Sequence, residues 1–418
     1  MGIQASLAID GLPGADLDLY SIIDGMVADP SASATVFAND PARDLWREIA
    51  SMLEKKLGFS LEPELFSNML FVAACGDAKR EDLRSIVREL CDVFRDTDAD
   101  GLYHFFLSLK FACDLDCTGV AARARLVSGD IDPRTPDGAR ALRKITQRIL
   151  KSAATTDVPA EVNASHGKEN GALSRYVFKV YADDHEVQGP ECDRGLKNNP
   201  VVVANALYAV LFELRHGLRS PKERIQLREY VEGSKEPRTT SATVAEIVAA
   251  NVCYVTGHLL SGAYRRGCRY YTSPDAFLCF LSESLRDFPE VFEAFRAQAR
   301  LREAVILRRS STEESTGLNP LSSLNTAFRA IAAANVGMDS EPDVERLLAR
   351  QGDDGSWSDA DTLYSLGTTR ELHFRSSMVT TGFAIQALTG REPLSIRSSG
   401  SENWADAILD EIVATTIV

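Results

Sequence analysis

The sequence predicts an all-α protein, and three observations support this fold class. Residues 44–57 carry apolar side chains at positions 45, 46, 49, 50, 53 and 57, which is the spacing of an amphipathic helix, and residues 80–94 repeat the pattern. Alternation of apolar and polar residues, the pattern of a half-buried strand, is almost absent. Helical segments of similar length follow one another across polar loops. Such repeated helix–loop–helix units predict helical hairpins arranged around a common axis.

The helical pattern covers most of the chain. In chain order, we predict helices over residues 44–57, 80–94, 102–111, 118–127, 137–151, 200–215, 241–262, 274–286, 290–307, 321–335, 341–350, 376–389 and 402–413. Stretches rich in turn-forming residues are predicted as loops: 152–171, 189–199 and 309–319. None of these loops marks a clear interdomain linker. We therefore expect a single domain over residues 41–418 and a loosely attached N-terminal segment over residues 1–40.

Composition and charge exclude several classes of protein. The 418 residues are 44% hydrophobic, which is enough for a large buried core. Lys and Arg total 46 against 60 Asp and Glu, and the net charge of -14 disfavours binding to nucleic acid or to anionic lipid. The eight cysteines form no C-x-x-C pair, and no His lies at zinc-finger spacing. We therefore expect reduced thiols and no bound metal.

The sequence predicts no transmembrane segment. The longest apolar run, residues 201–212, is interrupted by Asn205 and is shorter than the about 20 residues that a bilayer requires. The first residues lack a basic region followed by an apolar stretch, so we expect a cytoplasmic protein. Residues 1–6 fit the loose pattern for N-myristoylation of Gly2. No motif indicates an oligomeric state.

Two carboxylates one residue apart form the most informative motif of the chain. Asp114 and Asp116 follow an aromatic-rich run over residues 103–111. A carboxyl group with an ordinary pKa of about 4 is ionised at neutral pH, whereas burial and a like-charged neighbour both raise its pKa. The motif therefore predicts an acid in an apolar pocket. Helix capping is the alternative, because an Asp before the helical pattern of residues 118–127 is also a good N-cap.

A second motif has the order Gln-x3-Gly-x-Trp and consists of Gln351, Gly355 and Trp357. It follows the predicted helix over residues 341–350. The glycine permits a tight turn, the glutamine amide can satisfy backbone amides at a helix start, and the indole can pack over it. We predict a structural role for these three residues.

Together the two motifs resemble those of class II terpene cyclases. The second motif matches the repeat of squalene–hopene and oxidosqualene cyclases, and residues 114–119, Asp-Leu-Asp-Cys-Thr-Gly, resemble the acid motif of these enzymes. Cys117 agrees with the epoxide-opening enzymes, and Gly119 replaces the usual Ala. The resemblance implies an all-α toroid of two concentric helix layers, the α/α barrel.

The resemblance also implies a reaction. Asp116 aligns with the general acid that protonates a terminal alkene or epoxide, so the implied substrate is a linear isoprenoid such as a prenyl diphosphate or a prenylated or epoxidised chain. Asp114 completes the catalytic pair. The expected hydrogen-bond partners of the acid are Cys117 and Thr118.

Cyclisation produces cations that aromatic faces stabilise by about 0.5–2 kcal/mol each. Among many aromatic side chains, we expect this role for Tyr270 and Tyr271. Proton transfer itself needs no cofactor, and Mg²⁺ is expected only if the substrate carries a diphosphate. The expected partner is a small-molecule isoprenoid.

Two other functions remain open at this stage. The segment Asp-x-Asp-x-Thr also resembles the first motif of haloacid dehalogenase-type phosphatases, in which Asp114 would be the nucleophile, Asp116 the general acid and Mg²⁺ the charge clamp. That fold requires the motif at the end of a parallel strand and a second acidic pair, which Asp353 and Asp354 could supply. A non-catalytic toroid that binds isoprenoids would carry the same aromatic residues without needing both residues of the first pair.

Overall fold

A computed structural model describes residues 7–9, 64–77, 81–95, 97–98, 100–106, 112–153, 176–182, 197–217, 228–231, 240–311, 321–357, 362–366, 372–390 and 404–416. Its helices are α1 (Phe66–Cys75), α2 (Glu81–Arg95), α3 (Leu115–Val127), α4 (Pro136–Lys151), α5 (Pro200–His216), α6 (Val244–Leu260), α7 (Pro274–Asp287), α8 (Pro289–Phe292), α9 (Ala297–Ser310), α10 (Ser323–Asn335), α11 (Glu341–Leu348), α12 (Ser377–Thr389) and α13 (Trp404–Thr416). Its strands are β1 (Leu7–Ile9), β2 (Arg228–Val231), β3 (Thr240–Thr243), β4 (Tyr364–Leu366) and β5 (Leu372–Phe374). The helix predicted over residues 44–57 lies outside the described residues, as does most of the predicted N-terminal segment over residues 1–40.

Within the described residues, six helices form a closed inner ring. Helix α3 packs on α1 and α5, α7 packs on α5 and α10, and α12 packs on α10 and α1, which closes the ring. Every residue of α1 and of α3 is buried. Burial on all sides is typical of a helix at the centre of a protein. The inner ring is therefore the core of the molecule.

An outer layer of helices covers this ring. Helix α2 packs on α1 and α3, α4 on α3 and α5, α9 on α7 and α10, and α11 on α10 and α12. Helix α4 shows why these helices lie outside: it buries Leu142, Ile145 and Ile149 on one face and carries charged residues elsewhere. The predicted α/α barrel of two concentric helix layers is confirmed.

The inner helices run parallel, because an outer helix returns between one inner helix and the next. Their N-termini meet at one end of the barrel, where the Ser273 hydroxyl at the start of α7 hydrogen-bonds with Asn325 in the first turn of α10. Side-chain caps satisfy backbone amides at this end: Asp114 for α3, Asn199 for α5, Ser273 for α7, Ser322 for α10 and Ser376 for α12.

A buried ion-pair cluster joins helices of both layers. Asp275 in α7 accepts hydrogen bonds from Arg308 in α9 at 3.0 Å and from Arg329 in α10 at 2.8 Å. Asp343 in α11 accepts a hydrogen bond from Arg309 in α9 at 2.7 Å. These contacts hold four helices together on one side of the barrel.

The structure contains short strands that the sequence pattern did not predict. Strand β5 pairs antiparallel with β1 and with β4, and β2 pairs antiparallel with β3. Strands of three or four residues are too short to show a repeated alternation. The helix predicted over residues 102–111 is wrong for residues 102–106, in which Tyr103 and Phe106 form isolated bridges. The reason is that these residues are buried in succession, and burial on every side removes the periodicity that separates strand from helix.

No helix in the described part of the chain is both long enough and apolar enough to span a bilayer.

Candidate active site

A cavity of about 40 Å³ lies at the end of the barrel where the inner helices begin, within about 410 Å³ of space that is partly open to solvent. Its wall is mainly aromatic and aliphatic but includes two carboxyl groups, and its lining residues are Phe66, Phe105, Asp114, Asp116, Cys117, Val180, Tyr181, Val202, Tyr270, Tyr271 and Tyr364.

Backbone pairing on both sides fixes the acid motif at the cavity wall. Asp114 forms isolated bridges with Tyr103 and with Tyr181. It is also the N-cap of α3, because its Oδ1 accepts a hydrogen bond from the Cys117 amide at 2.7 Å. The capping role considered for this motif therefore belongs to Asp114, and it leaves the role of Asp116 open.

Asp116 lies in the first turn of α3 and is 9% exposed. Its Oδ1 accepts a hydrogen bond from Nδ2 of Asn205 in α5 at 2.8 Å, and its Oδ2 accepts one from the Tyr271 hydroxyl at 2.6 Å. Both donors are neutral. They orient the carboxyl group, and either charge state of Asp116 is compatible with them.

Burial is the main cause of raised pKa values at both carboxyl groups. It raises the pKa of Asp114 to about 7, and the nearby charge of Asp116 adds to this effect. It raises the pKa of Asp116 to about 6, against the opposing influence of the hydrogen bonds from Tyr271 and Asn205 and of the Arg123 charge. A carboxyl group with such a pKa keeps a usable fraction of its acid form near neutral pH.

Arg123 places a positive charge in the barrel beyond the acid. It lies about two turns after Asp116 on α3 and forms a buried ion pair with Glu283 of α7. Gln386 of α12 also donates a hydrogen bond to Glu283, at 3.2 Å. The guanidinium group lies 5.6 Å from the centroid of the Phe280 ring. Because Glu283 compensates Arg123, the charge lowers the pKa of Asp116 without cancelling the effect of burial.

Because Gly119 has no side chain, α5 can approach α3 closely enough for Asn205 to reach Asp116. A Cβ atom at residue 119 would lie 2.6 Å from the Asn205 carbonyl carbon and 2.7 Å from the Ala206 backbone nitrogen. The backbones of α3 and α5 therefore approach more closely than an alanine would allow. Asn205 was not predicted as a site residue, although the signal was present as a single amide within the apolar run over residues 201–212.

Cys117 and Thr118, which were predicted to bind Asp116, contact Asp114 instead. The Cys117 thiol hydrogen-bonds to Asp114 and lowers the pKa of that carboxyl group. The Thr118 hydroxyl donates to the Asp114 carbonyl at 2.7 Å and accepts from the Tyr103 amide at 3.1 Å. The prediction that Cys117 and Thr118 bind the carboxyl group of Asp116 is therefore wrong. The reason is helical geometry, in which a residue faces those three and four positions away and not its immediate neighbours.

Both tyrosines predicted to stabilise cations line the cavity. Tyr271 donates to Asp116, whereas the Tyr270 hydroxyl lies 3.4 Å from the Tyr181 hydroxyl. A second group of rings lines the same cavity, with Tyr364 in edge contact with Phe66 and Phe105 at centroid distances of 5.6 Å and 5.3 Å. The role of Tyr270 and Tyr271 toward a cation stays a prediction.

The Gln-x3-Gly-x-Trp motif forms the turn after α11. Gly355 has a positive φ of 80°, and its carbonyl accepts a hydrogen bond from the Gln351 amide at 2.9 Å. The buried indole of Trp357 donates to the Leu347 carbonyl at 2.7 Å. The motif thus satisfies a carbonyl at the end of a helix, and not amides at a helix start as predicted. The cavity lining given above includes none of its three residues.

The fold and the site together define a class of protein, an α/α barrel with paired aspartates in an aromatic cavity. No family model matches the chain. Over 141 residues, or 34% of this chain, the sequence is 31% identical to drimenol cyclase drtB of Aspergillus calidoustus. The match spans 25% of that enzyme, so this chain covers about a quarter of its length. This similarity confirms the predicted resemblance to terpene cyclases.

Three solved structures are similar at lower levels. A protein from Actinoplanes has 14% identity and a TM-score of 0.48, with 79% of this chain and 90% of that chain covered. MstE of Scytonema, a type II terpene cyclase, has 12% identity and a TM-score of 0.42, with coverage of 79% and 89%. A variant of MstE in complex with geranylgeranyl dihydroxybenzoate has 11% identity and a TM-score of 0.44, with coverage of 78% and 86%. At these levels, the closed inner ring and not the comparison establishes the fold of this chain.

Strand pairing does not fit the phosphatase alternative. Every strand pair in the described residues is antiparallel. Asp114 follows isolated bridges and begins a helix, whereas a phosphatase requires it at the end of a buried parallel strand. Asp353 and Asp354 lie in the exposed turn after α11.

Proposed function

We propose that this chain is a class II terpene cyclase in which Asp116 protonates a linear isoprenoid and thereby starts its cyclisation. One observation carries the proposal: Asp116 is a buried carboxyl group of raised pKa that lines an aromatic cavity and is held by two neutral donors. The local similarity to drimenol cyclase supports it. The proposed substrates are a prenyl diphosphate and a prenylated or epoxidised chain.

The first step moves one proton from Asp116 to the substrate. For an alkene, the π electrons form the new C–H bond and leave a tertiary cation on the neighbouring carbon. For an epoxide, the oxygen takes the proton and the C–O bond breaks. The carboxylate that remains then accepts charge-assisted hydrogen bonds from Tyr271 and Asn205. Because these bonds strengthen as the charge develops, they stabilise the transition state more than the ground state.

The next steps need an aromatic and dry surface. The cation attacks the next double bond along the folded chain, and each attack forms a C–C bond and moves the positive charge. Ring faces in the cavity wall, with Tyr270 and Tyr271 as the proposed principal ones, stabilise these cations by about 0.5–2 kcal/mol each. The reaction ends when a carbon next to the last cation gives up a proton, or when a water molecule adds to that cation and then loses a proton. Loss of a proton yields an isomer of the substrate.

Asp114 supports the acid electrostatically. Its N-cap position at the start of α3 brings its carboxyl group close to that of Asp116. Two nearby carboxyl groups do not both ionise easily in a buried site, so the pair stays partly protonated near neutral pH. We expect the pair to titrate as a unit.

Proton transfer to a hydrocarbon requires no metal. Among the described residues, no three His, Cys, Asp or Glu side chains are grouped as ligands of a metal ion. In this proposal, Mg²⁺ has a role only if the substrate carries a diphosphate, whose charge it would neutralise.

The test is incubation of the protein with farnesyl and geranylgeranyl diphosphates, the matching alcohols and their terminal epoxides. We expect a cyclic product with the mass of the substrate or of its hydrate, detected by mass spectrometry. Asp116→Asn should reduce the rate by at least about 10²–10⁴-fold, because the amide preserves size but cannot deliver a proton. Circular dichroism should be unchanged. A chelator should leave turnover of neutral substrates intact.

Two outcomes contradict the proposal. Mg²⁺-dependent phosphate release from a simple ester, lost in Asp114→Asn, would favour a phosphatase. Equal isoprenoid binding by the wild type and by Asp116→Asn, without any product from either, would favour a non-catalytic carrier.

A further inference from the structure

Arg123 and Glu283 form an ion pair inside the barrel, and their side chains are only 3% and 1% exposed. Arg123 lies in the third turn of α3 and Glu283 in the third turn of α7, so the pair is deeper in the ring than Asp116. The guanidinium carbon of Arg123 is 5.6 Å from the centroid of the Phe280 ring. Gln386 of α12 donates a hydrogen bond to Oε1 of Glu283 at 3.2 Å. Charged and polar groups of three inner helices therefore meet below the acid.

Ring contacts connect this ion pair to the acid. The Tyr271 hydroxyl donates to Oδ2 of Asp116 at 2.6 Å, and the Tyr271 ring is in edge contact with Phe280 at a centroid distance of 6.0 Å. Phe280 therefore packs against both the donor of the acid and the guanidinium group of Arg123. The position of that group bears on the position of Tyr271, because close-packed side chains transmit strain.

Arg123 also faces the acid along α3. Seven residues separate it from Asp116, which places it about 10 Å farther along the helix and within about 20° of the same face. Side chains of a helix lean toward its N-terminus, so the long side chain of Arg123 points back toward Asp116. In agreement with this geometry, the charge of Arg123 lowers the pKa of Asp116. The acid thus experiences a positive charge that its two neutral donors do not supply.

An unbalanced positive charge at this place would oppose the proposed reaction. It would favour the ionised form of Asp116, which has no proton to donate, and it would repel the carbocation that follows. The carboxylate of Glu283 is in direct contact with the guanidinium group of Arg123, so the two charges act at the acid as a dipole. The field of such a pair is weaker than the field of Arg123 alone. Glu283 therefore limits the positive charge that acts on Asp116.

We propose that Glu283 is a positioning residue for proton transfer, which holds Arg123 against Phe280 and balances its charge below Asp116. Glu283 acts through Arg123, since the cavity lining given above does not include it. The pair thereby has a role beyond the joining of α3 and α7. This inference rests on the proposed function, because it assigns a role toward the same acid.

Other titratable groups near the acid are common to all variants of the pair. Burial raises the pKa of Cys117 in α3 and of Tyr271 before α7 well above their ordinary values, so both side chains are neutral. Burial also raises the pKa of Asp114, to about 7, and that of Glu64 before α1. The donor from α5 is an uncharged amide. Asp114 and Glu64 therefore contribute equally to every profile, and differences between variants report the ion pair.

The titratable groups around the ion pair itself have fixed charge states. Burial raises the pKa of Cys279 in α7 to about 12, so this thiol is neutral. Arg286 donates two hydrogen bonds to Asp287, at 2.6 Å and 2.9 Å. Arg329 of α10 donates to Asp275 at 2.8 Å. These paired charges remain in place when Arg123 or Glu283 is replaced.

The test is the pH dependence of turnover for variants of the pair. Glu283→Gln leaves the charge of Arg123 unbalanced and should move the alkaline limb to lower pH by about one unit, as for one charge about 10 Å away in a protein interior. Arg123→Met removes the positive charge and should move the limb to higher pH. Arg123→Lys keeps a charge and should leave the limb close to its wild-type position. A limb that stays in place in Glu283→Gln, or that moves in the same direction in Glu283→Gln and Arg123→Met, would overturn the inference.

A double variant keeps the inference testable if a single variant does not fold. Arg123→Met combined with Glu283→Gln removes both charges and leaves no buried charge without its partner. Its limb should lie at slightly higher pH than that of the wild type, because the remaining influence of Arg123 on Asp116 is lost. An unchanged limb would overturn the inference.

Asp287→Asn is the matched control, because it removes another buried carboxylate of α7, which Arg286 contacts. The substitution should lower the melting temperature and leave the alkaline limb in place. A shift as large as that of Glu283→Gln would assign both effects to lost stability and would contradict the role of Glu283.

The result is separable from that of the proposed function. Infrared titration of the carboxyl groups, with the Asp116 signal assigned by its loss in Asp116→Asn, records the same shifts without turnover. If the titration shifts as expected but the wild type converts none of the isoprenoids, charge balance by Glu283 stands and the cyclase proposal fails. If the wild type forms cyclic products and neither the limb nor the titration moves in the variants, the cyclase proposal stands and the role of Glu283 fails.

Discussion

Asp116 and Asp275 occupy matching positions in the inner ring but have opposite partners. Each lies in the first turn of an inner helix, α3 or α7, and each is buried. Asp116 accepts hydrogen bonds from a tyrosine hydroxyl and an asparagine amide, which are neutral. Asp275 accepts hydrogen bonds from Arg308 and Arg329 at 2.8–3.0 Å. One carboxyl group faces a cavity, and the other joins helices.

The difference shows that neighbouring helices, and not the residue itself, decide what a buried aspartate can do. An ion pair with two guanidinium groups requires a charged carboxylate, so Asp275 serves packing. Neutral donors accept either charge state, so Asp116 can hold a proton and release it.

Asp275→Asn should strongly destabilise the protein. The substitution removes the carboxylate that Arg308 and Arg329 share and leaves Arg329 only the longer contact to Asp343 at 3.7 Å. Breaking a buried ion pair typically costs about 3–5 kcal/mol. Urea unfolding measures this change. The exposed pair of Arg300 and Glu303 provides the control, because Glu303→Gln should change the free energy of unfolding by less than about 1 kcal/mol. If Asp275→Asn were as stable as the wild type, the structural role assigned to Asp275 would be wrong.

Asp116→Asn, in contrast, should stabilise the protein at alkaline pH. The pKa of Asp116 is about 6 when folded against an ordinary 3.8, so the folded state binds the proton more tightly and stability falls as pH rises through this interval. The amide does not ionise and avoids this loss. At about 1.4 kcal/mol per pKa unit, we expect the variant to be about 1–3 kcal/mol more stable than the wild type at pH 8, with no such gain at pH 4. Urea unfolding at both pH values checks this, and equal stability changes at pH 4 and pH 8 would show that burial of the charge is not the cause.

Gly119→Ala should loosen the contact between α3 and α5. The new methyl group would meet the backbone at Asn205, and overpacking of this kind typically costs about 1–3 kcal/mol. Because α5 must move away, the hydrogen bond from Asn205 to Asp116 should lengthen and turnover should fall. Gly257→Ala in α6 is the matched control, since no atom lies within 4 Å of the added carbon and the helix should gain about 1 kcal/mol. Thermal melting and product yield distinguish the two variants. If Gly119→Ala changes neither the melting temperature nor the yield, the contact between α3 and α5 can relax.

Tyr271→Phe should shift the pH dependence of turnover. The hydroxyl lowers the pKa of Asp116, so its removal raises that pKa. The reaction requires the protonated acid, and the alkaline limb of the pH–rate profile should therefore move to higher pH. The plateau rate should fall as well, because the carboxylate loses one stabilising donor. Tyr270→Phe, whose hydroxyl contacts Tyr181 and not Asp116, should leave the limb in place. A shift of equal size in both variants would contradict the assigned hydrogen bond.

Amphipathic spacing predicted a helical fold, and the resemblance carried by two short motifs implied the barrel and drew attention to Asp114 and Asp116, because these features are visible in local patterns. Amphipathic spacing identified outer helices such as α4, and two carboxylates in six residues identified the start of α3. The contacts of the acid depend on register between separate helices, which no local pattern contains. Asn205 was visible as a polar residue in an apolar run, but only the approach at Gly119 joins it to Asp116. Cys117 was assigned to the wrong aspartate for the same reason.

Because the inner helices run parallel, the cavity and the ring are built from different segments of the chain, and these segments differ in how much change they tolerate. Every cavity residue lies at the start of an inner helix or in the segment that leads into it, so insertions in those leading segments can reshape the cavity without altering the ring. The described residues 101–106, 112–114, 176–182, 197–199 and 267–273 belong to such segments. A library that varies their length, while helices α3, α5 and α7 are kept, would sample new cavity shapes around an unchanged Asp116. The shape of the cavity and the constancy of the barrel are therefore encoded in different parts of the same chain.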